Sequence, residues 1–179
     1  MRLLPRPPIR KEMVYPFPPK RVWTALTDRH ALAEWLMPND FEPVAGHRFR
    51  FQYDPNGLCP DGLVECEVLE IDPPRRMVWS WVHASLDPSR PRPPASRVTW
   101  TLAPEGAGTR LRLEHTDLES ERWLIATMMR FGWGYMLKRL IPKVLENVGS
   151  AAPFGYTPGA IPLEKRGYRC KTIDPALTR

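Results

Sequence analysis

Residues 117–148 carry the pattern that most restricts how this chain folds. Apolar residues recur there at spacings of four, three, four and four, which places them on one face of an α-helix. They are Trp133, Leu137, Leu140, Val144 and Val148. We therefore predict a long C-terminal helix that begins near Asp117 and stops at Gly149. Thr116 and Glu119 have the spacing of a capping box at its start.

The first half of this predicted helix has a second apolar face. Opposite the main stripe lie Leu124, Met128, Phe131 and Tyr135. A helix that is apolar on both sides must be covered on both sides. Other parts of the same chain are one candidate cover, and a second copy in a homodimer or a ligand-entrance lid is the other. Pro142 predicts a kink, because proline removes a backbone donor and clashes with the preceding turn.

Earlier in the chain, at Gly46, the spacing of apolar residues changes from the 3.6-residue period of a helix to the two-residue period of a strand. Residues 48–53, 63–71, 77–83, 97–102 and 110–115 alternate apolar and polar side chains, which indicates short antiparallel strands with one wet face. Residues 8–15 predict a first strand at a sheet edge, and two short helices follow at residues 18–26 and 31–36, the second capped by Asp28. The sequence thus predicts an α+β fold, in which a curved antiparallel sheet wraps around the long C-terminal helix.

The length of 179 residues suits one domain rather than two. We place that domain at residues 1–150. Residues 151–179 form a basic tail rich in proline and glycine, and its scattered aromatic residues favour a partly ordered strap across the domain over a disordered segment.

Charge and composition argue against several classes of protein. The net charge of +6 sits at the two ends, since residues 1–21 hold six Lys/Arg and one acid, and residues 164–179 hold five and two. Basic ends on a near-neutral body do not make a nucleic-acid groove. We expect neither a membrane span nor an N-terminal signal, because prolines interrupt residues 1–10, and we therefore expect a cytoplasmic protein.

Cysteine and histidine spacing predicts no metal site and no disulfide framework. Cys59, Cys66 and Cys170 form no CxxC pair, and the four histidines lack ligand spacing. The sequence also lacks nucleotide-binding and hydrolase motifs, so we expect no cofactor. His115 lies an even number of residues after Leu111 and Leu113 on the same predicted strand, so it is expected to face the interior as they do. His83 shares the parity of Trp79 and Trp81 and is expected near the mouth of the interior.

Several short segments occur in an order that resembles a known family. They are PPKRVWTALT at 18–27, Trp35-Leu36, GHRF at 46–49, EIDPPRRMVWSW at 70–81, VTWTL at 98–102, GTRL at 108–111, LEH at 113–115 and Gly132-Trp133. Together they are similar to bacterial proteins related to the activator of Hsp90 ATPase (AHSA1-like), in the START-like (SRPBCC) helix-grip superfamily. The resemblance covers about residues 8–148 and leaves the tail outside.

This resemblance implies a cavity between the sheet and the C-terminal helix that binds a hydrophobic or aromatic small molecule, lipid- or polyketide-like. The residues expected to line it are Trp35, Phe49, Phe51, Trp79, Trp81, Trp100, His115, Met128 and Trp133. Packing of the same aromatic residues in an ordinary core is the alternative. The resemblance also leaves open a cyclase- or dehydratase-like enzyme with His115 as acid or base, and a chaperone-interacting module, since fold alone does not choose among them.

Overall fold

The computed structural model describes residues 6–57, 59–150 and 152–178. In these residues six strands form one antiparallel sheet, in the order β1-β6-β5-β4-β3-β2. They are β1 (Ile9–Tyr15), β2 (Arg48–Gln52), β3 (Leu63–Asp72), β4 (Arg76–His83), β5 (Ser96–Glu105) and β6 (Gly108–Thr116). The two strands that come first in the chain lie at the two edges, so the curved sheet stays open. Residues 1–5, part of the basic N-terminal segment, lie outside the described residues.

Two short helices, α1 (Pro19–Thr27) and α2 (Arg29–Trp35), follow the first strand as predicted. The Asp28 carboxylate caps α2 by accepting the backbone N–H groups of His30 and Ala31, at 2.9 and 3.1 Å. The Trp35 indole N–H donates to the Ala25 carbonyl at 2.8 Å and ties the two helices together.

The C-terminal helix begins six residues later than we predicted. Asp117 has a left-handed backbone, with φ of 58°, and Leu118–Ser120 form a separate 3₁₀ turn. The helix α3 then runs over Trp123–Tyr135 without a side-chain cap. The capping box was wrong, because the Thr116 hydroxyl donates to the Asp117 carboxylate next to it.

After α3 the helix continues through a wide π-helical segment, Met136–Leu140, into α4 (Ile141–Glu146). The Ile141 N–H donates to the carbonyl of Met136, five residues back. The next donor in that pattern would belong to Pro142, which has no N–H, so the Leu137 carbonyl needs another partner. The Tyr15 hydroxyl supplies it at 2.6 Å, and this bond joins edge strand β1 to the helix.

The core lies between the inner face of the sheet and this helix. All five residues of the predicted stripe, from Trp133 to Val148, are at most 3% exposed. This agreement confirms the helix-grip arrangement, in which each large apolar side chain contributes about 1.5–3 kcal/mol through burial.

Much of the outer face of the sheet is wet, as the alternation predicted, although Val78 and Val82 of β4 are buried there. Glu65, Glu67 and Glu114 form ion pairs there with arginines on neighbouring segments. Such exposed pairs contribute only about 0–1 kcal/mol each.

The second apolar face of α3 stays exposed in the described part of the chain. Phe131 is 74% exposed, and Met128 and Tyr135 are each about half exposed. Neither the tail nor another described segment of this chain covers these side chains.

The tail lies against α2 and the loop after β2. The buried carboxylate of Glu34, on α2, accepts the backbone N–H groups of Gly159 and Ile161, both at 2.6 Å. Further along, the Asp54 carboxylate accepts the backbone N–H groups of Lys171 and Thr172, both at 2.8 Å. A short helix, α5 (Pro175–Thr178), ends the described chain. None of the helices described here has the length and apolarity that crossing a membrane requires.

Candidate ligand-binding pocket

A half-open pocket of about 290 Å³ lies where the end of β4 meets α3. Apolar and aromatic side chains form most of its wall. The lining residues are Leu36, Tyr53, Asn56, Cys59, Trp81, His83, Ile125, Met128, Met129, Gly132, Trp133, Tyr135, Met136, Gly167 and Tyr168. For scale, an apolar cavity of about 150 Å³ binds benzene.

Two tryptophans form the floor of the pocket, one from each layer. Trp81 from β4 and Trp133 from α3 meet edge to face, with ring centroids 5.6 Å apart and planes at 65°. Next to Trp133 on α3, Gly132 leaves open space, because a Cβ built there meets no atom within 4 Å. The methionines on the same helix add flexible thioether chains, which adapt to ligands of different shape.

The tail supplies the third wall. Tyr168 packs against Tyr53, with ring centroids 4.9 Å apart. Burial raises the pKa of Tyr168 to about 12, and burial together with a hydrogen bond to Cys59 also raises the pKa of Tyr53. Both phenols are therefore neutral at physiological pH, and this wall carries no charge of its own.

One polar group of the pocket, His83 at the end of β4, pairs with a buried carboxylate. Its Nδ1 lies 2.9 Å from Oε1 of Glu121, and both side chains are largely buried. Glu121 directly follows the 3₁₀ turn Leu118–Ser120, and its N–H donates to the Leu118 carbonyl. The irregular segment ahead of α3 thus places a carboxylate behind the histidine.

His115 lies beneath the pocket and does not line it. Its ring is fully buried, with Nδ1 accepting the indole N–H of Trp133 at 3.1 Å and Nε2 lying 2.8 Å from the hydroxyl of Ser96. The Ser96 hydroxyl donates to the Trp81 carbonyl, so Nε2 of His115 carries the hydrogen. Burial, with a smaller effect of His83, lowers the pKa of His115 to about 3. The ring is therefore neutral and bonded at both nitrogens.

The structure divides the predicted cavity residues into two groups. Trp81, Met128 and Trp133 line the pocket. The others lie behind it in a closed core in which aromatic rings pack edge to face: Trp35, Phe49, Phe51, Trp79, Trp100 and, at the border, His115. Among the described residues, the indole N–H groups of Trp79, Trp81 and Trp100 find no hydrogen-bond acceptor. Rings that meet edge to face offer such groups only weak N–H···π contacts.

Among the residues that sequence reasoning missed are Glu121, which lies behind the pocket, and Tyr168, which lines it. Glu121 gave no signal, because it follows a strand end in an irregular turn where neither helical nor strand period applies. Tyr168 belongs to the tail, where scattered aromatics predicted contact with the domain but not the place of contact. The described residues contain no cluster of His, Cys, Asp or Glu able to hold a metal ion.

Comparison with known families and structures is consistent with this architecture. Residues 16–146 match the model of the family described as Activator of Hsp90 ATPase homolog 1-like protein. Among curated proteins, none matches the chain.

Solved structures share the fold. Protein MLL2253 from Mesorhizobium loti is 33% identical, with a TM-score of 0.65, and the match covers 76% of this chain and 95% of that one. CalU16 from Micromonospora echinospora is 27% identical, with a TM-score of 0.56, over 73% of this chain and 71% of that one.

A more distant similarity concerns the fold alone. DynU16, from the dynemicin biosynthetic locus, is 22% identical, with a TM-score of 0.61, and the match covers 77% of this chain but only 47% of that one. The family match spans most of this chain, and the solved structures agree with it. The chain belongs to the Activator of Hsp90 ATPase homolog 1-like family.

Proposed function

We propose that this protein binds a hydrophobic, aromatic small molecule in the pocket between β4 and α3. The observation that carries the proposal is the half-open space of about 290 Å³ with a largely apolar wall, at the gap between sheet and helix. Sites for small molecules are commonly concave and apolar, with a few placed polar groups. Flat indole walls from Trp81 and Trp133 suit a planar, ring-containing ligand.

The buried aromatic residues behind the pocket support this role indirectly. Trp79 and Trp100 are fully buried and hold the floor in place through edge-to-face contacts. We expect Trp79→Ala or Trp100→Ala to change ligand affinity by disturbing that floor. His115 acts in this proposal as a positioning residue, since its bond to Trp133 orients one wall.

The surroundings of His115 support ligand binding rather than a reaction in which His115 acts as general acid or base. A general acid or base must reach the reacting group, directly or through one water. His115 is fully buried and both of its ring nitrogens already have protein partners. A cyclase- or dehydratase-like activity on a polyketide would therefore need a different group.

Native mass spectrometry of the protein purified from its own host tests the proposal. We expect a co-purifying hydrophobic compound that is released on denaturation. Two glycine substitutions on α3 then test where it binds. Gly132→Leu fills the open space in the pocket, and we expect it to abolish retention of the compound.

Gly134→Ala is the matched control for Gly132→Ala. Each replaces a helical glycine by alanine, which favours a helix by about 1 kcal/mol, but only Gly132 borders the pocket. We expect Gly132→Ala to reduce retention of the compound and Gly134→Ala to retain it fully. Equal retention by wild type and the folded Gly132→Leu variant would overturn this location of the site.

A further inference from the structure

The hydrogen bond between His83 and Glu121 determines which nitrogen of the His83 ring can accept a hydrogen bond in the pocket. The carboxylate of Glu121 only accepts hydrogen bonds when it is ionised, so the hydrogen between it and Nδ1 belongs to His83. In the neutral imidazole the other nitrogen, Nε2, then carries a lone pair and no hydrogen. His83 borders the pocket, and among the described residues no partner of its Nε2 is found.

Other polar groups also border the pocket. The side-chain oxygen of Asn56 already accepts the backbone N–H of Cys59 at 3.0 Å, the phenols of Tyr53 and Tyr168 stay neutral, and Trp81 and Trp133 contribute apolar surface. Of the polar groups that border the pocket, His83 has its ring nitrogens distinguished by a buried carboxylate. Glu121 is only 8% exposed and does not line the pocket. It acts through His83 and is a positioning residue.

We infer that His83 is the polar anchor of the pocket and accepts a hydrogen bond from a hydroxyl group on an aromatic ligand. The chemical class is a planar compound of about two fused rings that carries a phenolic or enolic hydroxyl. This inference rests on the proposed function, since it names the ligand class of the same pocket. Glu121 fixes the acceptor form of the ring, as a second residue commonly does for histidines in functional sites.

Three probes of similar shape isolate the hydroxyl: 2-naphthol, 2-methoxynaphthalene and naphthalene. Only 2-naphthol donates a hydrogen bond. We expect it to bind the wild-type protein roughly 3- to 10-fold more tightly than 2-methoxynaphthalene, which is the range of one additional hydrogen bond. Titration followed by naphthalene fluorescence or by calorimetry measures the ratio.

Two variants test the pair. Glu121→Gln keeps the volume of the side chain but offers His83 an amide, which can bond either tautomer of the imidazole ring. We therefore expect the preference for 2-naphthol over 2-methoxynaphthalene to fall below about 2-fold. His83→Phe removes the acceptor and retains a flat ring, and we expect the preference to disappear. His83→Phe leaves the buried carboxylate of Glu121 without its partner. The double variant His83→Phe/Glu121→Leu removes that carboxylate as well, and it is used for the same measurement if the single variant does not fold.

A measurement without ligand gives an independent check. Long-range ¹H–¹⁵N correlation spectra of the wild-type protein report which imidazole nitrogen of His83 carries the hydrogen, and we expect Nδ1. Observation of hydrogen on Nε2, either alone or together with hydrogen on Nδ1, would overturn the inference.

The outcomes separate the two proposals. Equal binding of all three probes, unchanged in the variants, leaves the pocket as a binding site and rejects His83 as its anchor. Failure of all three probes to bind the wild type rejects the pocket for ligands of this size, and with it the anchor.

Discussion

The indole N–H of Trp133 donates to Nδ1 of His115 across 3.1 Å and joins helix α3 to strand β6. The chain continues from His115 to the Ser96 hydroxyl and from there to the Trp81 carbonyl. The two tryptophans of the pocket floor are thus linked through one buried histidine. The orientation of the floor is set from within the core and does not require a ligand.

Trp133→Phe tests the link. The variant removes the donor to a buried ring nitrogen and leaves a small void, so we expect the free energy of unfolding to fall by about 2–4 kcal/mol. Urea denaturation measures it. Trp123→Phe is the control, because Trp123 is 71% exposed on the same helix, and we expect a change below about 0.5 kcal/mol. Equal effects of the two substitutions would contradict the link.

The neutral, buried His115 predicts loss of stability in mild acid. Its pKa is lowered, mainly by burial, from 6.5 to about 3. Between these two pH values the unfolded chain takes up a proton and the folded chain does not, so the free energy of unfolding falls as pH falls. We expect a loss of about 2 kcal/mol from this group between pH 6.5 and 5.

Urea denaturation at a series of pH values measures this dependence. His115→Gln cannot titrate, and its free energy of unfolding should therefore change less over the same range. The slope with pH is the readout, so a lower stability of the variant does not affect the comparison. A slope identical to that of the wild type would show that His115 is not responsible.

Glu34→Gln tests how the tail is held. Both carboxylate oxygens accept a backbone N–H from the tail, and glutamine retains only one acceptor while its amide faces the second donor. We expect the tail to detach more often, with cleavage within residues 152–178 by a protease becoming about 10-fold faster. Glu164→Gln, exposed within the tail itself, should leave the cleavage rate unchanged. Similar rates for both variants would contradict this mode of attachment.

Tyr168→Ala tests whether the tail wall contributes to binding. The substitution removes one ring from the pocket and from its contact with Tyr53. We expect 2-naphthol to bind about 3- to 10-fold more weakly, measured by fluorescence titration. Leu163→Ala is a matched control, since Leu163 lies in the tail but not at the pocket. Unchanged affinity in Tyr168→Ala would remove the tail from the site.

The spacing of apolar residues, together with the residues typical of turns and helix caps, was sufficient to predict the fold. Alternation marked the strands because each has one wet face, and the 3.6-residue stripe marked the helix because one side of it packs on the sheet. Asp28 was recognisable as a cap because its role depends on neighbours two and three residues away. The start of the C-terminal helix was not, since a left-handed residue at Asp117 breaks a pattern that apolar spacing alone continues.

The pocket itself depends on contacts between distant segments. His83 and Glu121 meet across 38 positions of sequence, and Tyr53 and Tyr168 across still more. Side-chain parity gave the direction of each strand residue, which is why Trp81 was placed correctly toward the interior. It did not show that rings such as Phe49 and Trp79 fill the space between them, because that depends on packing volumes.

The tail is held by hydrogen bonds to its backbone, so the side chain that it places at the pocket, Tyr168, makes none of these bonds. Glu34 and Asp54 hold the tail through backbone N–H groups, which every residue except proline provides. The side chain at position 168 is therefore presented at the pocket without serving as the anchor. Residues 152–178 lie beyond the segment that matches the family. On the proposed function, we expect a single substitution at position 168 to alter what the pocket accepts while the shared scaffold keeps its sequence.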